Sequence, residues 1–319
     1  VEPLALAGFL AGPFVLVAGA EMLVRGAGRL AAAFGLSPLL IGMTVVSYGT
    51  GAPEMAVSFN AAAAGRGDIA LGNVVGSNIA NILLVLGLAA TITPLPIPRR
   101  VVQRDVPLMI GTSVLVFGLA IDGSLSRLDG LLMCAGILGY TYSAFRHERR
   151  FPRANGDAPD RPLALEIVGR QLILIAAGLV ALATAGGWIV EGATAIARSF
   201  GVSELVIGVT IVAIGTSLPE VATSVVAGLR GQSEIAVGNV VGVNVFNLLA
   251  VLGATTVAIP GGLLIPPRAL SIDFPVMLAA ALVCLPLFQT RQRLDRVEGL
   301  FLLACLVAYL AYRWTEAVG

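Results

Sequence analysis

Residues 49–54 read Gly49-Thr50-Gly51-Ala52-Pro53-Glu54, and they stand in the middle of an apolar run that covers residues 37–64. A proline inside a helix removes one hydrogen bond and clashes with the preceding turn. The flanking glycines allow dihedrals that other residues avoid. The pattern predicts a membrane helix that is locally unwound, with backbone carbonyls released. Glu54 is the second anomaly. An ionisable side chain in a span costs about 2.5 kcal/mol or more and normally faces a protein interior or a watery cavity. Irregular backbone at that depth persists only where it is buried in protein or lines a cavity.

A second copy, Gly215-Thr216-Ser217-Leu218-Pro219-Glu220, lies in another apolar run. Residues 34–87 align with 200–253 at a constant offset of 166 without a gap, and 29 of the 54 pairs are identical. The kept pairs include the costly residues Pro53/Pro219, Glu54/Glu220 and Asn81/Asn247. A duplication kept only for packing would have no reason to retain them. Two broken helices at corresponding places in two halves are the best sequence pointer to a transporter binding site. Each copy carries a second element: Gly72-Asn73-Val74-Val75-Gly76-Ser77-Asn78-Ile79-Ala80-Asn81 and Gly238-Asn239-Val240-Val241-Gly242-Val243-Asn244-Val245-Phe246-Asn247. A lone asparagine in a span is usually interhelical glue. Two matched sets beside carboxylates favour ion contact for Asn81 and Asn247. Asn73, Asn78, Asn239 and Asn244 stay open between glue and pathway. The four glycines are read as points of close helix approach.

The rest of the chain fits a membrane protein. It is 57% hydrophobic and 12% charged, about half the charge of a soluble chain. The first apolar run lacks a basic leader and a clear cleavage site, so it reads as a span. Net charge is +1, which gives no case for nucleic acid. Cys134, Cys284 and Cys305 lie in apolar runs without paired spacing, and His147 sits in an Arg-rich loop. Packed thiols and a solvated histidine are the plain readings.

A span needs about 20 apolar residues. Ten candidates follow: 3–24, 37–64, 69–93, 106–121, 128–146, 166–186, 203–228, 234–258, 270–288 and 297–315. The polar segment 147–165 reads as a linker. The expected fold is all-α and polytopic: a five-helix repeat over 1–150, a linker over 151–165 and a second five-helix repeat over 166–319. With the linker in the cytoplasm, its side of the membrane carries 15 arginines in the loops against 5 on the other. That bias orients the chain in the cell (inner) membrane with both termini outside. Five spans per half makes the second repeat run opposite to the first, which brings the two broken helices together near the midplane.

The chemistry on offer is oxygen: the carboxylates of Glu54 and Glu220, the hydroxyls of Thr50 and Thr216, amides and freed carbonyls. No cysteine or histidine belongs to the set. Such donors suit hard cations (calcium, magnesium, sodium or protons) over copper or zinc. Calcium takes six to eight oxygens in flexible geometry, and two carboxylates balance one calcium or two monovalent ions. Glu21 and Arg25 are one helical turn apart and read as a local ion pair. Asp68 and Glu234, at matched positions after each broken helix, read as caps.

The paired G-T-x-x-P-E and G-N-V-V-G-x-N-x-x-N motifs resemble the alpha repeats of the calcium/cation antiporter superfamily, most closely its prokaryotic sodium/calcium exchanger branch. Residues 19–27, GAEMLVRGA, resemble that branch's first helix. The resemblance implies a ten-helix antiporter with central ion sites lined by helices 2, 3, 7 and 8. Helices 1 and 6 would be long, tilted and loosely packed, and would slide across the core to alternate access. It implies calcium ligation by Glu54 and Glu220 and further ion contacts from Thr50, Thr216, Asn81, Ser77 and Ser217. Asn247 completes the expected set, at a position that is aspartate in some members. Gly51 and Val243 stand where the pattern has serine, at places the family uses for sodium. The expected function is calcium export against sodium, with a proton-coupled exchanger of calcium or another divalent cation as the alternative.

Other classes fit less well. A channel usually builds its site from symmetric subunits around a pore, whereas this chain carries its own pair. An intramembrane hydrolase would want a nucleophile–base pair or metal-binding histidines. No ATP-binding loop is visible. The expected partners are calcium and sodium ions and the bilayer, with no cofactor and no required protein.

Overall fold

Proline and glycine set where the helices begin, bend and stop. In the computed structural model, residues 3–150, 165–200, 213–289 and 291–318 are described. Helix α1 (Pro3–Phe34) ends at Gly35, whose φ of 63° is the left-handed conformation glycine adopts without strain. Helix α2 (Pro38–Thr50) starts with Pro38 in its first turn, and the Ser37 hydroxyl accepts from the Leu40 N–H at 3.2 Å. Gly51, at φ −77° and ψ −1°, then breaks the helix, and α3 (Ala52–Ala63) begins with Pro53 in its first turn. The long helices α4 (Gly67–Ile92), α5 (Val101–Ala120) and α6 (Arg127–Arg150) complete the first half.

The second half repeats the plan. Helix α7 (Leu165–Ser199) is followed by a short turn, α8 (Ala213–Gly215), and by α9 (Leu218–Leu229), with Pro219 in its first turn. Ser217, at φ −87° and ψ 2°, breaks the chain there much as Gly51 does. Helices α10 (Ser233–Ala258), α11 (Ala269–Gln289) and α12 (Arg296–Val318) follow. The first part of the expected span 203–228, residues 203–212, and residues 151–164 of the expected linker lie outside the described residues. Widened helical turns recur at matched places: Asn81–Leu86 with Asn247–Val251, and Val101–Asp105 with Ala269–Asp273. Two short ribbons tie the halves together. Leu95 pairs with Leu294, and Leu125 with Leu263.

Eight helices among the described residues are long and apolar enough to cross a membrane. With a mean hydropathy of +0.92, the chain is a multi-pass membrane protein. The centre is α4 and α10, whose most apolar stretches are 72% and 94% buried, against 17–39% in the other long helices. Glycines bring α2 against α10. A Cβ on Gly238 would stand 2.7 Å from the Leu39 carbonyl oxygen, and one on Gly242 2.4 Å from that of Met43.

Helices α1 and α7 pack mainly on each other and flank this centre. Gly12, Gly19 and Gly26 recur every seven residues, and Gly178 and Gly192 are the 166-offset equivalents of the outer two. A Cβ on Gly178 would stand 2.7 Å from the Gly19 carbonyl oxygen, so the backbones touch. Small residues of this kind let membrane helices approach closely. Both helices run about a dozen residues beyond the expected spans 3–24 and 166–186. The extensions carry Arg25 and Glu191, which lower local hydropathy while favouring helix. Glu21 pairs with Arg25 and also reaches Arg230, beyond α9.

Candidate cation site

The two breaks place Glu54 and Glu220 in the first turns of α3 and α9. Both side chains are fully buried, and they are close enough for their charges to interact. None of the four carboxylate oxygens has a hydrogen-bond partner, and no arginine among the described residues pairs with either. The positive ends of α3 and α9 offset part of this charge. An uncompensated buried pair of charges is nevertheless strongly unfavourable, so the two carboxylates need either a bound cation or protons to neutralise them.

Two asparagines complete the core of the site. Asn81 and Asn247 are fully buried, and both polar atoms of each amide lack a partner. They open the widened turns of α4 and α10. The Asn247 turn packs on α3, which carries Glu54, and the Asn81 turn packs on α9, which carries Glu220. Such widened turns are frequent at functional sites.

The remaining expected residues lie around this core. Thr50 is buried, donates to Asn239 Oδ1 at 3.2 Å and stands beside Glu220. Ser217 is fully buried with an unpartnered hydroxyl. Ser77 is buried on α4, and Thr216 is half-buried in the second break.

The four asparagines that the sequence left open all donate to protein partners. Asn73 donates to the Glu54 carbonyl at 3.1 Å and to Ser58 Oγ at 2.9 Å. Its equivalent, Asn239, donates to Ser224 Oγ at 3.3 Å. Asn78 donates to the Asn244 carbonyl, and Asn244 to that of Val240. These four brace backbone and side chains. Ser58 and Ser224, the partners of Asn73 and Asn239, stand one repeat offset apart, and that spacing in the sequence could have paired them with those asparagines.

An all-oxygen donor set around two buried carboxylates suits calcium or sodium. The fold and this geometry define a polytopic membrane protein with two buried carboxylates at its core. The chain matches the model of the sodium/calcium exchanger protein family over residues 4–146 and 170–315, and it belongs to that family, within the calcium/cation antiporter superfamily. The inner membrane protein YrbG of Escherichia coli K12 is 37% identical over 314 residues, covering 97% of this chain and 96% of that one. The sodium/calcium exchanger MaX1 of Methanosarcina acetivorans is 30% identical over 337 residues, covering 94% and 96%. A solved structure of the sodium-calcium exchanger NCX_Mj, soaked with sodium and strontium, matches with a TM-score of 0.84 at 29% identity. It covers 98% of this chain and 99% of that one.

Proposed function

We propose that this protein is a secondary active antiporter that exchanges calcium for sodium by alternating access, with the ions bound between Glu54 and Glu220. The observation that carries the reading is the set of four buried side chains, Glu54, Glu220, Asn81 and Asn247, whose polar atoms have no protein partner. Two carboxylates neutralise one calcium or two sodium ions. Either load gives the same net charge, which is what a site that alternates between them needs. Thr50, Thr216, Ser77 and Ser217 supply further oxygens. The names of MaX1 and NCX_Mj, sodium/calcium exchangers, support the same ions.

In this reading the eight long helices and the two broken ones make ten spans, arranged as inverted repeats over 1–150 and 166–319. The segment 151–165 joins them in the cytoplasm, and both termini lie outside. The α1/α7 pair slides against the core to expose the site to one side and then the other. Coupling to protons is the second reading. It is favoured by Gly51 and Val243, which put no side-chain oxygen where their repeat equivalents Ser217 and Ser77 have one.

The test is uptake of radioactive calcium into proteoliposomes of purified protein, with voltage clamped. An outward sodium gradient should drive uptake. Uptake under a proton gradient alone would replace sodium with protons. No uptake under either would remove calcium exchange.

A further inference from the structure

The joint between α1 and the core carries a contact that the cation site does not use. Helix α1 reaches α2 through Gly35, Leu36 and Ser37 alone. The Leu36 N–H closes back on the Ala31 carbonyl at 2.9 Å, and Ser37 is extended, at φ −70° and ψ 143°. The Ser37 N–H donates to Glu148 Oε1 at 2.7 Å, 111 residues along the chain. N–H groups at a helix start have no partner within the helix, and the positive end of a helix favours an anion. Glu148, near the end of α6, serves the start of α2 in both ways. Its other oxygen, Oε2, takes the Arg100 guanidinium. Arg100 stands just before α5, and Arg104, one turn on, donates to the Ser143 carbonyl of α6 at 2.9 Å. The Glu148 side chain is 10% exposed and Ser37 7%, so water competes little for these bonds.

The second half has the same parts in a different arrangement. Arg100 and Asp105 recur 168 residues on as Arg268 and Asp273, and Tyr140 recurs 169 residues on as Tyr309. Tyr309 donates to Asp273 Oδ1 at 2.8 Å, and Arg313 Nε lies 3.6 Å from the same oxygen. Asp105 is buried too, yet neither of its oxygens has a hydrogen-bond partner, and the Tyr140 hydroxyl has none either. Arg100 Nε stays 3.7 Å from Asp105 Oδ2, while its Nη1 is on Glu148. A buried acceptor left unpaired is costly. The first half bears that cost, and in its place it has a guanidinium held on Glu148 and, through Glu148, on the joint.

We propose that Glu148 is a positioning residue for exchange: held by Arg100, it pins the start of α2 through the Ser37 N–H, so that the slide of α1 is taken up at Gly35 and Leu36 and is not passed to α2. The inference rests on the alternating-access reading above. Gly35, at φ 63°, is the link in this joint that glycine can turn without strain. Helix α2 carries Thr50 at its far end, beside Glu220. Were α2 to follow α1, the oxygens of the cation site would move with it. Glu148 thus separates the part that moves from the part that binds.

The experiment measures calcium binding by purified protein and sodium-driven calcium uptake into proteoliposomes, with uptake expressed per calcium-binding molecule. Glu148→Ala removes the acceptor for Ser37 and the partner of Arg100. Its turnover per binding molecule should fall about tenfold, the scale of one hydrogen bond to a charged group. Its calcium dissociation constant should stay within about twofold, as for a residue that shares no partner with the site. Glu148→Gln, which keeps an acceptor for the Ser37 N–H and loses the charge, should be slowed less. Damage to folding alone would lower the number of binding molecules and leave the turnover of each unchanged, and that result would overturn the role of Glu148. Wild-type turnover in both variants, or a glutamine variant as slow as the alanine one, would overturn it as well. Absence of calcium binding in wild type would overturn the antiporter reading itself, and this inference with it.

Discussion

Asn78 donates a hydrogen bond to the backbone carbonyl of Asn244 at 3.3 Å, and the two residues are 166 positions apart, the offset that relates the two repeats. A residue can touch its own repeat equivalent only close to the line about which the repeats are related. The crossing of α4 and α10 is therefore the natural centre of the molecule. One turn further along each helix stand Asn81 and Asn247, the equivalent pair whose amides have no protein partner. Bracing at the axis and unpartnered polar groups just beyond it are the arrangement that the proposed cation site would use.

Neutralising one carboxylate should separate binding from folding. Glu54→Gln and Glu220→Gln are expected to abolish calcium flux while the protein stays folded, because the amide keeps the shape and removes a buried charge. Wild type should melt at higher temperature with calcium than with chelator. Calcium at a hundred times its dissociation constant contributes about 2.7 kcal/mol of stability. Both variants should lose that difference. Melting curves with and without chelator provide the check, and a retained calcium shift in both would sink the assignment.

The two classes of asparagine should behave differently. Asn81→Ala and Asn247→Ala remove groups with no protein partner, so they should weaken calcium binding about tenfold or more with little change in the chelator-treated melting temperature. Asn73→Ala removes the donor to the Glu54 carbonyl and to Ser58. It should destabilise the protein by about 1–3 kcal/mol, the penalty for leaving buried groups unpaired. Calcium titration and thermal melting on the same samples decide it. Equal effects of both classes would contradict the division.

Much of this was legible in the sequence because the costly residues are few. A proline and a carboxylate inside an apolar run have no bland explanation, and their recurrence at one offset located both breaks. Hydropathy also found α4 and α10. It placed the ends of α1 and α7 too early, because charged residues such as Arg25 lower the local average while remaining half-exposed on a continuing helix. Which asparagines are glue was not legible, since Asn73, Asn78 and Asn81 are the same residue type a few positions apart. Their partners lie on other helices. The Phe246 ring against Gly51 was equally hidden: the sequence shows a glycine opposite Ser217, but only packing shows the ring beside it.

Close backbone contact between α2 and α10 predicts a sharp contrast among glycines. Gly238→Ala and Gly242→Ala would drive a Cβ into the Leu39 and Met43 carbonyls at 2.7 and 2.4 Å. Overpacking of this kind costs about 1–3 kcal/mol, and the melting temperature should fall. Gly139→Ala, on an open part of α6 where nothing lies within 4 Å, should be neutral or slightly stabilising. Equal melting temperatures for all three would mean that α2 and α10 are not packed backbone to backbone.

Under the alternating-access reading proposed above, the ion pair of Glu21 with Arg230 predicts an unequal balance between the two access states. Arg230 Nε donates to Glu21 at 3.0 Å, and Arg25 shares the carboxylate. The pair joins α1 to the chain just after α9, so it ties the α1/α7 unit to the core at one end of α9. The repeat equivalents of Glu21 and Arg230 are Gly187 and Ala64, which cannot form the same tie in the other half. Half-exposed ion pairs contribute about 0.2–1 kcal/mol, so removing this one should change the ratio of states by no more than about fivefold. Glu21→Gln should accordingly lengthen the distance between spin labels on α1 and at the end of α9 in a larger share of molecules. High salt should do the same to wild type and leave the variant unchanged. Identical distance distributions in wild type and variant, at low and high salt, would show that the tie does not set the balance.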